Sequence, residues 1–171
     1  MKFVYTILAI FLFAPMLHAE SNLLDPVLDS EEYCLAQNIY YESRGSNVAD
    51  QVAVSMVVIN RVFDTRFPPT ICGVVKQAVT KPSWKTGEQV PVRNQCQFSW
   101  YCDGKSDNPQ DEEAWKKAQE IAMKIYQFGV TIDVAEGATH YHSANMPKYP
   151  SWSRGFIRVG RIGDHIFYRW E

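Results

Sequence analysis

The sequence predicts an α+β domain that is mainly helical, with a small β-hairpin or sheet at its C-terminal end. Three observations carry this. The stretch from about Ser30 to the break at Gly45, and residues 48–63 and 109–128, place apolar side chains at helical spacing. Residues 138–143 (ATHYHS) then change to alternation. Residues 156–170 (FIRVGRIGDHIFYRW) form two strand-like runs around Arg161-Ile162-Gly163-Asp164, a hairpin signal.

Taken in order, the chain opens with Met1-Lys2, an apolar run over 3–17 and a small-residue site at Leu17-His18-Ala19. This predicts an export signal over 1–19. The run is shorter than the roughly 20 residues a spanning helix needs, although retention as an anchor is the alternative. Residues 20–30, polar and interrupted by Pro26, read as a flexible lead-in, leaving 31–171 as one domain. The first helix begins near Ser30, a capping hydroxyl followed by Glu31 and Glu32. Leu35, Ile39 and Glu42 share one face of it. After a break at Gly45-Ser46-Asn47 comes VADQVAVSMVVINRVF, 48–63. Val48, Val52, Met56, Ile59 and Phe63 make one stripe, and Val54 and Val58 fill the far side, so this helix is expected to be buried and central. Pro68-Pro69-Thr70 opens a short helix over 70–79, and 80–96 reads as a long loop. Asn108 and Pro109 start a strong helix that Gly129 stops, with Ala114, Trp115, Ala118, Ile121, Ala122 and Ile125 inward.

The charge and cysteine content bound the function. The formal net charge is −2, or −3 once Lys2 leaves with the signal, and no basic stripe suggests a nucleic-acid partner. Cys34, Cys72, Cys96 and Cys102 all lie in the part expected to be exported, where an even count favours disulfides. Three pairings exist. Cys96 and Cys102 are close enough to staple one loop, which leaves Cys34 with Cys72. The spacings are not of the paired C-x₂-C kind a zinc cluster uses.

Glu42 stands in Tyr40-Tyr41-Glu42-Ser43-Arg44-Gly45. If it continues the stripe of Leu35 and Ile39, it points inward, and apolar walls would raise its pKa into the range of a general acid. The plainer alternative is a surface charge at a helix end, paired with Arg44. A second constellation is histidine. His140 and His142 project to one face of a strand, and His165 would complete a zinc site for an amidase or endopeptidase. No H-E-x-x-H accompanies them, and Tyr141, Trp152 and Tyr168 equally suit a sugar-lined groove. Gln97, Phe98 and Ser99 supply an amide, a ring and a hydroxyl suited to sugar N-acetyl and hydroxyl groups, although Phe98 would serve equally as a core plug. No G-x-S-x-G supports a serine nucleophile.

In order, CLAQNIYYESRG, QVAVSMVVINRV, FPPTICGVV, CQFSWYCDG, ATHYHS and IGDHIFYR resemble the blocks of the SleB-type cell wall hydrolases, the family of the spore-cortex-lytic enzymes. The resemblance covers about 31–169. It implies a lysozyme-like catalytic domain acting on the glycan strands of peptidoglycan, with the catalytic glutamate at Glu42 and no cofactor. It further implies a lytic transglycosylase that cleaves the MurNAc–GlcNAc bond and leaves a 1,6-anhydro end. On that model one carboxyl serves first as acid and then as base, whereas two-carboxylate hydrolysis would need a partner such as Asp50 or Asp103. Gln97, Phe98 and Ser99 map onto a groove-lining block, with Tyr141, His142, Trp152 and His165 expected to contact substrate. Asn60 and Arg61 are expected to hold the helices together. Many relatives carry Glu-Ala-Arg-Gly-Glu where this chain has Glu42-Ser43-Arg44-Gly45-Ser46. The expected protein is an exported monomer, periplasmic or extracellular, with no stable membrane span after signal removal.

Overall fold

The computed structural model describes residues 30–129 and 132–171. The expected signal over 1–19 and the lead-in up to residue 29 lie outside the described residues. Among the described residues, no helix is long and apolar enough to cross a membrane.

Helix α1 spans Glu31–Ser43, and the Ser30 hydroxyl caps it by accepting from the Tyr33 N–H at 3.1 Å. Leu35, Ala36, Asn38 and Ile39 are wholly buried on it. Helix α2 spans Val48–Phe63, capped by Asn47. Its middle is enclosed on nearly all sides by Ala53, Val54, Val57 and Val58, which is the packing that β-branched residues need to be held helical. The expected stripe does not hold at its ends: Val48 is 50% exposed and Phe63 84%. Helix α3, Ile71–Val75, is shorter than the sequence suggests. Its first turn is capped twice, by the Thr70 hydroxyl and by the Glu31 carboxylate, which accepts from the N–H groups of Ile71 and Cys72. A Cys34–Cys72 disulfide joins α3 to α1.

The segment read as a long loop is an antiparallel hairpin, β1 Ala78–Pro82 and β2 Gln89–Cys96. Both strands are largely exposed and polar, so the alternation that announces a strand is missing. Pro82 and Pro91 add breaker signals. A second disulfide, Cys96–Cys102, ties the end of β2 to a 3₁₀ turn over Ser99–Cys102. Helix α4, Glu112–Phe128, is capped by Asp111 rather than Asn108. The Tyr40 hydroxyl accepts from the N–H groups of Gln110 and Asp111 at 3.1 and 3.0 Å, holding that lead-in outside the helix. Ala118, Ile121, Ala122 and Ile125 face inward, and α4 packs chiefly on α1.

The tail is one antiparallel sheet in the order β3-β5-β4: β3 His140–Ser143, β4 Ile157–Ile162 and β5 His165–Arg169. A short 3₁₀ turn, Ser151–Gly155, precedes β4. Tyr141 pairs with Phe167 across the sheet, and Phe167 enters the helical core. The β4–β5 turn needs Gly163: its φ is +55°, and a Cβ there would lie 2.6 Å from the Cβ of Asp50 on α2.

Candidate active site

The inward stripe of α1 ends in the acid. Leu35 and Ile39 pack into the core, and Glu42 on the last turn emerges at the edge of a cleft of about 240 Å³. Arg44 is turned elsewhere, its guanidinium 4.8 Å from the Tyr40 ring. The Glu42 carboxyl instead accepts a hydrogen bond from the Tyr141 hydroxyl of β3 at 3.1 Å. Burial pushes the pKa of Glu42 above the ordinary glutamate range. The Tyr141 hydrogen bond and the charges of His165 and Arg61 pull it down without cancelling that rise. Burial likewise pushes the Tyr141 phenol well up, so it stays a donor.

The other walls come from three places. Gln97, Phe98 and Ser99 line one side, bracketed by the Cys96–Cys102 disulfide. Trp100 seats this block against α1, donating from Nε1 to Asn38 at 3.4 Å and stacking on Tyr41 at 4.7 Å. Trp152 and His140 line the cleft as well. His140 sits among Phe156, Trp152 and Trp170, at ring distances of 4.4, 5.5 and 5.5 Å. Burial, with the charges of Arg61 and Arg66, lowers its pKa to about 4, so it is neutral at physiological pH. Arg61, on the last turn of α2, also lines the cleft.

Of the residues the sequence singled out, Glu42, Gln97, Phe98, Ser99, Tyr141 and Trp152 share this cleft. His142 and His165 do not line it. His142 is buried behind it, with Nε2 at 3.0 Å from the Tyr168 hydroxyl and Nδ1 at 2.9 Å from the Ser143 carbonyl. His165 donates from Nδ1 to the wholly buried Asp50 at 2.9 Å and sets its ring edge-on to Tyr141 at 5.0 Å. It therefore supports the residue that holds Glu42 and does not itself face the cleft. Among the described residues, no group of three His, Cys, Asp or Glu side chains is placed to share a metal ion. Neither candidate second acid reaches the cleft. Burial works to raise the Asp50 pKa, but the hydrogen bonds from His165 and the Asp164 N–H outweigh it and hold the carboxyl below its ordinary range. Asp103 lies near Lys105 at 3.5 Å. Ser46 donates to Asp164 at 2.8 Å.

Sequence reasoning missed Arg61 as a wall of the site. Its structural role is real, since Nε donates to the Thr139 carbonyl at 2.7 Å, while Asn60 beside it ties α2 to Asp133 and Ala138. The available signal was a cation inside an otherwise apolar run, VVINRVF.

A family model described as Cell Wall Hydrolase matches residues 45–168. The chain belongs to that family. The matched stretch begins just past Glu42 and takes in the other walls of the cleft. Among solved structures, the chain is similar to two members. One is the catalytic domain of the Bacillus cereus SleB protein, at 26% identity and a TM-score of 0.54, covering 85% of this chain and 95% of that one. The other is the catalytic domain of the germination-specific lytic transglycosylase SleB from Bacillus anthracis, at 25% identity and a TM-score of 0.58, covering 85% and 98%. The spore cortex-lytic enzymes of Halalkalibacterium halodurans and Bacillus subtilis are 29% and 28% identical over 140 and 134 residues. These matches cover 81% and 78% of this chain but only 34% and 35% of the two relatives. The chain thus spans about a third of the length of the curated relatives it matches.

Proposed function

We propose that this protein is an exported peptidoglycan-degrading enzyme that cleaves the MurNAc–GlcNAc bond as a lytic transglycosylase, with Glu42 as its single general acid and base. The observation that carries this reading is a half-buried carboxyl whose pKa burial raises, the sole acid among the described residues that line a cleft walled by rings and hydrogen-bonding side chains. Membership of the Cell Wall Hydrolase family and likeness to a lytic transglycosylase domain support the substrate and reaction class.

The chemistry runs in two proton transfers. Glu42 gives its proton to the oxygen that leaves with GlcNAc as the bond from C1 of MurNAc breaks. The 6-hydroxyl oxygen of the same MurNAc then bonds to C1, and its proton returns to Glu42. The carboxyl ends as it began, and no water is consumed. Hydrolysis with a second acid would need another carboxylate roughly 5–10 Å across the bond, and Glu42 is the only acid lining this cleft among the described residues. The Tyr141 hydroxyl holds the carboxyl and remains bonded to it when it is ionised. Trp152 offers a ring face to a sugar and Gln97 and Ser99 offer polar contacts, whereas Phe98, 3% exposed, packs in the core as a plug under the cleft.

Glu42→Gln keeps the shape and removes the transferable proton. It should lower fragment release from sacculi at least about a thousandfold. Activity within tenfold of the parent in a folded Glu42→Gln protein would refute the assignment.

A further inference from the structure

Arg61 is a cation buried in the wall of this cleft with most of its hydrogen-bonding capacity unused. It is 5% exposed, yet among the described residues its guanidinium makes one hydrogen bond, from Nε to the Thr139 carbonyl at 2.7 Å. Nη1 is enclosed without a partner, out of reach of a ligand, whereas Nη2 is not enclosed and makes no hydrogen bond among the described residues. The rings of Phe67 and Phe98 lie 5.1 and 5.3 Å from its Cζ, so the group is clamped rather than free to swing toward solvent. Glu42 lines the same cleft but is bonded to Tyr141. A guanidinium has only donors and stays charged, and a buried donor left unpaired is unfavourable. Nη2, on a residue that lines the cleft, is therefore the donor left for an acceptor oxygen brought by the substrate.

Resting on the glycan-cleaving reading above, we propose that Arg61 donates to the N-acetyl carbonyl oxygen of the sugar seated beside Glu42, and so makes the cleft select N-acetylated glycan over its de-N-acetylated form. An amide carbonyl accepts without bringing a competing proton. A free amino group at that place is an ammonium near neutral pH, with donors only and the same sign of charge as Arg61. Nothing else lining the cleft offsets that charge while Glu42 holds its proton, since His140 there is neutral. A hydroxyl would also accept, but it would give no discrimination between the two glycans.

The test separates binding from turnover. In a Glu42→Gln background, calorimetry compares a chitin tetrasaccharide with the same oligosaccharide de-N-acetylated. Both lack the lactyl group, so any preference belongs to the N-acetyl carbonyl and not to the lactyl amide. The parent should bind the acetylated form about ten- to a hundredfold more tightly. Adding Arg61→Gln should collapse the ratio to about twofold, with the loss falling on the acetylated ligand. Arg61→Lys, which keeps the charge but not the fork, should give an intermediate ratio and carries the test if loss of the Thr139 tie unfolds the glutamine variant. Equal binding of the two ligands by the parent overturns the inference. So does an unchanged ratio in the Arg61 variants, with affinity lost equally for both. Failure of the Arg61-intact, Glu42-intact protein to release glycan fragments from sacculi would instead overturn the reading beneath it, while the binding ratio still judges Arg61.

Discussion

Glu42 owes its raised pKa to where α1 ends. One turn earlier, at Ile39, the same stripe is wholly buried, and a carboxyl there would have no access to substrate. One residue later, Ser43 turns its hydroxyl back to the Ile39 carbonyl at 3.0 Å. Burial raises the Glu42 pKa, and Tyr141 is the first of the groups that restrain the rise. Tyr141→Phe removes a donor that favours the ionised form, so the pKa should rise further. Because the first step needs the protonated acid, the fall of activity on the alkaline side should move to higher pH, by about half to one unit. A pH profile of kcat checks this, and a downward shift would contradict it. The same shift has a sign for stability. A carboxyl whose folded-state pKa is raised favours folding below its unfolded-state pKa, and that benefit is lost as pH rises through the folded value. Glu42→Gln should therefore melt at or above the parent temperature near neutral pH, with the difference closing in acid, as scanning calorimetry at two pH values would show.

The elements differ in how openly the sequence declares them. α1, α2 and α4 were legible because caps and periodicity agree: Ser30 before Glu31, Asn47 before Val48, and Gly129 closing α4 with its N–H on the Ile125 carbonyl at 3.0 Å. The start of α4 was misplaced because Asn108 is a good cap by type, while the Tyr40 hydroxyl holds Gln110 and Asp111 in a non-helical lead-in. No local pattern announces such a long-range bond. The β1–β2 hairpin escaped for a different reason. Its strands are paired by backbone bonds, with few side chains buried to leave a periodic trace. The β4–β5 turn was visible, but its coupling to α2 was not. Gly163→Ala would place a Cβ against Asp50 and strain a positive φ. It should cost about 2–4 kcal/mol, measured by denaturant midpoint. A loss under about half a kcal/mol would mean the turn can move away from α2.

At the scale of the whole molecule, the cleft is a meeting of distant segments. Glu42 and Tyr141 are 99 residues apart, and Arg61 is bonded to a carbonyl 78 residues on. The sequence made the acid and the Gln97–Ser99 block visible as candidates. The pairing of Tyr141 with Glu42, the retreat of His142 and His165 behind the cleft and the arrival of Arg61 in it are tertiary facts, set by which strand edge meets which helix end. The Cys34–Cys72 bond joins the helix carrying Glu42 to α3 and closes a separation of 38 residues. Replacing both with Ser should lower stability by about 4 kcal/mol on the chain-entropy estimate, read from chemical denaturation. A change below about 1 kcal/mol would show that packing alone holds α3 to α1. The central claim is that one carboxyl serves both proton transfers and no water enters the bond. Digestion of purified sacculi in heavy-oxygen water, followed by mass spectrometry of the released muropeptides, tests it most directly. The account predicts unlabelled products with 1,6-anhydro ends, each lighter by one water than its reducing counterpart. Products with free reducing ends that carry the heavy oxygen would contradict it.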